Sequence, residues 1–120
     1  MKIFIDSADI DEIIKADNTG LIDGVTTNPT LIKRSGLDPY DVYDRVLNET
    51  NITDLSMEVS GSRSEMLHEA DRLIDRYGES FATIKVPMTK DGLFVCRSLS
   101  ALQVRVNVTL IFSIPQAILA

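Results

Sequence analysis

Strand-like and helix-like segments alternate along this chain from end to end, and that alternation leaves few folds open. Residues 2–6 read as a strand. Residues 9–17 follow with Ile10, Ile13 and Ile14 at helical spacing; Asp9 and Glu12 have capping-box spacing, and Gly20 supplies a stop. A short strand over 23–26 leads into Asn28-Pro29, where proline suits the first helical position, and Asp38-Pro39 repeats the signal ahead of Val42, Val46 and Leu47. The third strand spans 55–59. The helix over 63–77 places Met66, Leu67, Ala70, Leu73 and Ile74 on one face, with Gly78 as its cap. A strand over 82–86 precedes a helix over 90–102 with Leu93, Cys96, Leu99 and Leu102. A fifth strand over 104–110 leads to a last helix, started by Ser113 and Gln116 at capping-box spacing. Five strands separated by helices imply right-handed parallel βα units. No glycine- or proline-rich linker divides them, so one α/β domain over 1–120 is expected.

The strands carry a second pattern. An open sheet covered on both faces should be apolar on both. Here Val104, Val106, Val108 and Leu110 alternate with Arg105, Asn107 and Thr109, and Ile84 and Val86 alternate with Thr83 and Lys85. Met57 and Val59 alternate with Ser56 and Glu58, and Ile3 and Ile5 with Phe4 and Asp6. One face suits covering helices, and the other suits the inside of a TIM (β/α)8 barrel. Such barrels place their chemistry at the C-terminal ends of the strands. Asp6, Asn28, Glu58, Lys85, Asn107 and Thr109 lie at or near those ends.

Composition narrows the partners. The formal net charge is −6 and no basic run occurs, which argues against nucleic acid and anionic membrane as partners. No apolar stretch approaches the roughly 18 residues of a membrane span. The N-terminus turns acidic too soon for a signal peptide. A single cysteine, Cys96, excludes an intrachain disulfide and fits a reducing, cytoplasmic setting; on its helix it reads as a small buried hydrophobe.

Lys85 carries the sharpest chemical implication. It sits in Ala82-Thr83-Ile84-Lys85-Val86-Pro87, an apolar strand ended by proline. Burial disfavours a charged amine, which is how a lysine becomes a nucleophile at neutral pH. The competing reading is a lysine that snorkels past the strand end with its head in water. The other polar strand ends have plain readings too. Asp6 fits a helix start, Asn28 an N-cap, Glu58 a solvated strand end and Thr109 ordinary strand propensity. His68 reads as exposed, and Lys33-Arg34 as a wet helix end. Taken together, a lysine, two carboxylates, two amides and a hydroxyl suit Schiff-base chemistry on a ketone. Acidic residues do not recur with histidine or cysteine at ligand spacing, so neither a metal nor another cofactor is expected.

Five segments in order resemble the transaldolase family of class I aldolases, including its small fructose-6-phosphate-aldolase-like branch. They are Phe4-Ile5-Asp6-Ser7-Ala8, Gly24-Val25-Thr26-Thr27-Asn28-Pro29-Thr30-Leu31, Ser56-Met57-Glu58-Val59, Ile84-Lys85-Val86-Pro87, and Asn107-Val108-Thr109-Leu110-Ile111-Phe112-Ser113. The resemblance implies that Lys85 forms the imine with a ketose or dihydroxyacetone unit. It implies that Asp6 exchanges the proton of the hydroxyl next to the cleaved bond, and that Glu58 and Thr109 handle the water lost and regained. Asn28 and Asn107, with Thr26 as a lesser candidate, would bind substrate hydroxyls. Glu58, rather than glutamine, leans towards transaldolase and away from the aldolase branch.

The family's barrel has eight strands and takes roughly 200 residues or more. This sequence supplies about five strands, the truncated or half-barrel portion of that fold, and lacks the serines and arginines with which the family's later strands bind sugar phosphate. Two further departures are Ile114-Pro115 in the last helix and Gln103, where a helix-stopping glycine is expected. Two functional readings follow. One is a transaldolase-like enzyme acting on sugar phosphates, in the manner of the pentose phosphate pathway. The other is a non-catalytic relative or assembly module. The open first and fifth strands are expected to be covered by self-association into a homo-oligomer, the alternatives being another chain, the rest of a longer gene product, or a sheet that stays open without catalysis.

Overall fold

The computed structural model describes residues 1–120. Its elements alternate as β1 (Phe4–Asp6), α1 (Ile10–Asp17), β2 (Gly24–Thr26), α2 (Pro29–Ser35), α3 (Pro39–Glu49), β3 (Leu55–Glu58), α4 (Arg63–Tyr77), β4 (Ala82–Pro87), α5 (Lys90–Ala101), β5 (Val106–Thr109) and α6 (Ile114–Leu119). The strands stand in sequential order β1-β2-β3-β4-β5 in one five-stranded sheet. Pairing is parallel for β1–β2, β2–β3 and β4–β5. This is the βα succession expected for the opening five units of a (β/α)8 barrel. Contacts group the residues into two compact units, Met1–Met57 and Glu58–Ala120, and the division falls inside β3.

In the first unit, Ile10, Ile13, Val25, Val42, Val46, Leu55 and Met57 form a buried apolar core. β1 is shorter than predicted: ahead of it the Ile3 N–H donates to the Asp23 carboxylate at 2.7 Å, and the Ile3 carbonyl accepts from the Asp23 N–H at 2.7 Å. α1 begins at Asp9, whose side chain accepts from the Glu12 N–H at 3.1 Å. The predicted capping box does not close: the Glu12 carboxylate accepts from the Ser7 hydroxyl instead, at 2.6 Å. Asn28 and Asp38 cap α2 and α3, each with proline in the first turn, as their sequences indicate. Lys33 and Arg34 are exposed in the last turn of α2.

In the second unit, α4 buries Met66, Ala70 and Leu73 of the face its periodicity predicts, together with Tyr77, while Leu67 and Ile74 of that face are half-buried. Ser62 and Glu65 close a full capping box at its start, Gly78 caps its end, and His68 is exposed. α5 departs from expectation. Its buried face is Gly92, Val95 and Leu99, while Cys96 is half-buried and Leu102 is exposed. The cause is Gly92: a Cβ there would overlap the Pro87 carbonyl oxygen. That close approach to the end of β4 turns positions 92, 95 and 99 inward and rolls Cys96 off the core. At α6, Ser113 accepts from the Gln116 N–H, but the Gln116 side chain reaches the Phe112 N–H, so this box does not close either. α6 has no buried residue.

Candidate active site

β4 is the most buried strand, with Ala82, Ile84 and Val86 fully enclosed and Thr83 and Lys85 nearly so. Lys85 is only 9% exposed. Its ammonium therefore does not snorkel out. It meets the Glu58 carboxylate at the end of β3, with Nζ and Oε2 3.5 Å apart and both side chains mostly enclosed. Backbone pairing fixes that approach: the Val59 N–H donates to the Lys85 carbonyl at 3.0 Å.

β5 supplies the neighbours on the other side. Lys85 stands in register with Asn107, and Pro87 with Thr109. Register partners in a parallel pair project from the same face, so Asn107 flanks Lys85 and Thr109 lies one step nearer the strand's C-terminal end. The Met88 N–H closes the pair by donating to the Thr109 carbonyl at 2.9 Å. Glu58, Lys85, Asn107 and Thr109 thus gather at the strand ends of the second unit.

The first unit gathers the remaining candidates. Asp6 and Thr26 are register partners on β1 and β2. The Thr26 hydroxyl donates to the Asp6 carboxylate at 2.7 Å. This bond holds the carboxylate of Asp6, a residue that is itself exposed. Thr26 was expected as a substrate-hydroxyl ligand; its hydroxyl proton is committed to Asp6. The Asn28 side-chain oxygen accepts from the Leu31 N–H at 3.0 Å, which spends that oxygen on the cap and leaves its NH2 group for other partners.

Two contributors escape sequence reasoning. Thr27 is fully buried and its hydroxyl donates to the Ser56 carbonyl at 2.9 Å, tying the exit of β2 to β3. Ser7, 3% exposed, bonds Glu12 directly after Asp6. The only sequence signal for either is its place beside a candidate residue. No group of three or more His, Cys, Asp or Glu side chains has metal-holding geometry. No helix is long and apolar enough to cross a membrane.

Parallel strands in sequential order, each followed by helix, place the chain in the (β/α)-barrel class of folds. More narrowly, residues 3–120 match the family model for transaldolase/fructose-6-phosphate aldolase, and the chain belongs to that family. It is 46% identical over 123 residues to a probable transaldolase of Nitrosopumilus maritimus, covering 100% of this chain and 53% of that protein. Probable transaldolases of Shouchella clausii and Thermoplasma acidophilum are 40% and 42% identical, again over 100% of this chain and 55% and 54% of theirs. The chain spans about half the length of the curated relatives it matches.

Proposed function

We propose that this chain carries transaldolase-type class I aldolase chemistry, with Lys85 as the Schiff-base lysine and a sugar phosphate as substrate. The observation that carries this reading is the enclosed Lys85–Glu58 pair on neighbouring strand ends. A carboxylate in contact with an amine is placed to take its proton, freeing the nitrogen lone pair to attack a ketone carbon. The resulting carbinolamine loses its hydroxyl as water, with Glu58 and Thr109 supplying and receiving the proton. The iminium then accepts the electron pair of the breaking C–C bond, while the proton of the adjacent hydroxyl passes to Asp6. An aldehyde leaves and a three-carbon enamine remains on Lys85. Attack of that enamine on an acceptor aldehyde, followed by hydrolysis, completes the transfer. Asn28 and Asn107 hold substrate hydroxyls. Family membership supports the roles of Asp6, Asn28 and Thr109, and Glu58 favours transfer over simple aldol cleavage.

The test is chemical trapping. Dihydroxyacetone or fructose 6-phosphate with borohydride should add mass to the peptide containing Lys85. Undiminished labelling of a Lys85→Met variant would remove the assignment. A second reading, a non-catalytic assembly module of the same family, is favoured by α6, where Ile114, Ile118 and Leu119 are all strongly exposed. A chain that associates but never traps ketose at Lys85 would support it.

A further inference from the structure

The helix start after β1 departs from the capping box its sequence predicts, and the departure acts on Asp6. In a closed box the Glu12 carboxylate would take the Asp9 N–H. Here that N–H donates to the Ser7 hydroxyl oxygen at 3.1 Å, and the Ser7 hydroxyl donates in turn to Glu12 at 2.6 Å. A buried serine has been inserted into the box. The Ser7 N–H also donates to the Thr26 carbonyl at 3.0 Å. Thr26 therefore holds two consecutive residues, Ser7 through its carbonyl and Asp6 through its hydroxyl. Glu12 is itself exposed, and its carboxylate reaches Ser7 from the first turn of α1.

We infer that Glu12 is a positioning residue for Asp6. Through the Ser7 hydroxyl it fixes the peptide that follows Asp6 and so aims the Asp6 carboxylate held by Thr26. The Ser7–Glu12 bond is short, at 2.6 Å, and its acceptor is a carboxylate oxygen. Without it, a buried hydroxyl loses its acceptor and the strand exit is free to shift. The catalytic part of this role rests on the proposed Schiff-base reading, but the geometric part does not.

The experiment separates them. Exchange of the Thr26 hydroxyl proton is followed by NMR on the full chain, with the Thr50 hydroxyl, which donates to the Val46 carbonyl at 2.6 Å in α3, as the internal control. In Glu12→Ala, Thr26 exchange should quicken by about tenfold while Thr50 is unchanged. Glu12→Gln keeps a carbonyl acceptor for Ser7 and should restore slow exchange. Unchanged Thr26 exchange in Glu12→Ala overturns the inference. So does equal acceleration at Thr50, which would mean general loosening, or a Glu12→Gln variant as fast as Glu12→Ala. On the same samples, imine trapping at Lys85 should keep its native rate, because Asp6 acts only after the imine forms. Release of the cleaved aldehyde should fall by about 100-fold, the scale of a small misplacement of a reacting group. Fast exchange with unchanged aldehyde release overturns the positioning role. If the native chain traps no ketose, the Lys85 reading fails, and hydroxyl exchange alone decides whether Glu12 holds Asp6.

Discussion

Lys85 and Glu58 share one enclosure, where each offsets part of the other's cost of leaving water. Removing one partner of such a pair strands the other, at a typical cost of about 3–5 kcal/mol when fully buried, while replacing both is often neutral. The pair keeps some solvent contact, so Lys85→Met should destabilise the chain by less, roughly 1–3 kcal/mol. The double variant Lys85→Met/Glu58→Gln should recover most of that loss in urea unfolding. Additive losses in the double-mutant cycle would show that the two side chains do not depend on each other. Kinetically, Glu58→Ala should slow borohydride trapping by about 100-fold, the scale of acid–base assistance. An unchanged rate in a folded variant would reduce Glu58 to a strand-end carboxylate. The sequence shows that Lys85 and Glu58 are polar residues at strand ends. It does not show that they touch, because that depends on strand order and register, which no single segment encodes. Ser7 is a further case, a residue whose part is set by a hydroxyl reaching to the next helix and a backbone N–H reaching to Thr26.

At the scale of elements, helix ends carry the informative deviations. Gln103, just past α5, has φ +63°, and Leu110, just past β5, has φ +65°. Both are in the left-handed region, where a Cβ is strained. The family resemblance implies a helix-stopping glycine at position 103, and the backbone there has the conformation that glycine favours. Gln103→Gly should therefore raise stability by up to about 1 kcal/mol, the relieved strain being partly offset by glycine's larger unfolded-state entropy. Thermal unfolding checks this, and a lower midpoint would show that the Gln103 side chain stabilises more than its backbone strain costs. The α4 capping box makes a pH prediction. The Ser62 backbone N–H, and then its side chain, hold the Glu65 carboxyl below its usual range. A lowered folded value stabilises the chain above the unfolded carboxyl range, and that contribution is lost as pH falls through the folded value. The thermal midpoint of the native chain should exceed that of Glu65→Ala at neutral pH, with the gap closing on acidification. A gap independent of pH would assign the effect to helix propensity rather than to the ionised cap. α4 is legible from sequence because its cap, stripe and stop all agree. α5 is less so, since the roll of that helix is set by Gly92 against Pro87, a contact between two elements.

For the whole molecule, the distribution of charge is the useful quantity. Residues 106–120 contain no Asp, Glu, Lys or Arg, although the chain as a whole carries a net charge of −6. Leu110, Phe112, Ile114, Ile118 and Leu119 are all more than half exposed within that stretch. Copies of the chain can meet there without bringing like charges together, and exposed apolar side chains in such number favour association. Light scattering at micromolar concentration should report an oligomer, and Phe112→Asp with Ile118→Glu should shift it towards monomer while helix content is retained. A stable native monomer would remove the expectation of self-association. What the sequence determined by itself is most of what is local: the βα alternation, the cap residues, the proline helix starts, and the two-faced strands that select a barrel-type sheet. Those features depend on periodicity and near-neighbour sterics, which a linear string carries in full. Only the tertiary structure decided which polar residues meet. It pairs Lys85 with Glu58, commits the Thr26 hydroxyl to Asp6, and diverts Glu12 from its own helix cap to Ser7. Such choices compare hydrogen-bond partners brought together by packing, and their energies exist only once the strands are in register.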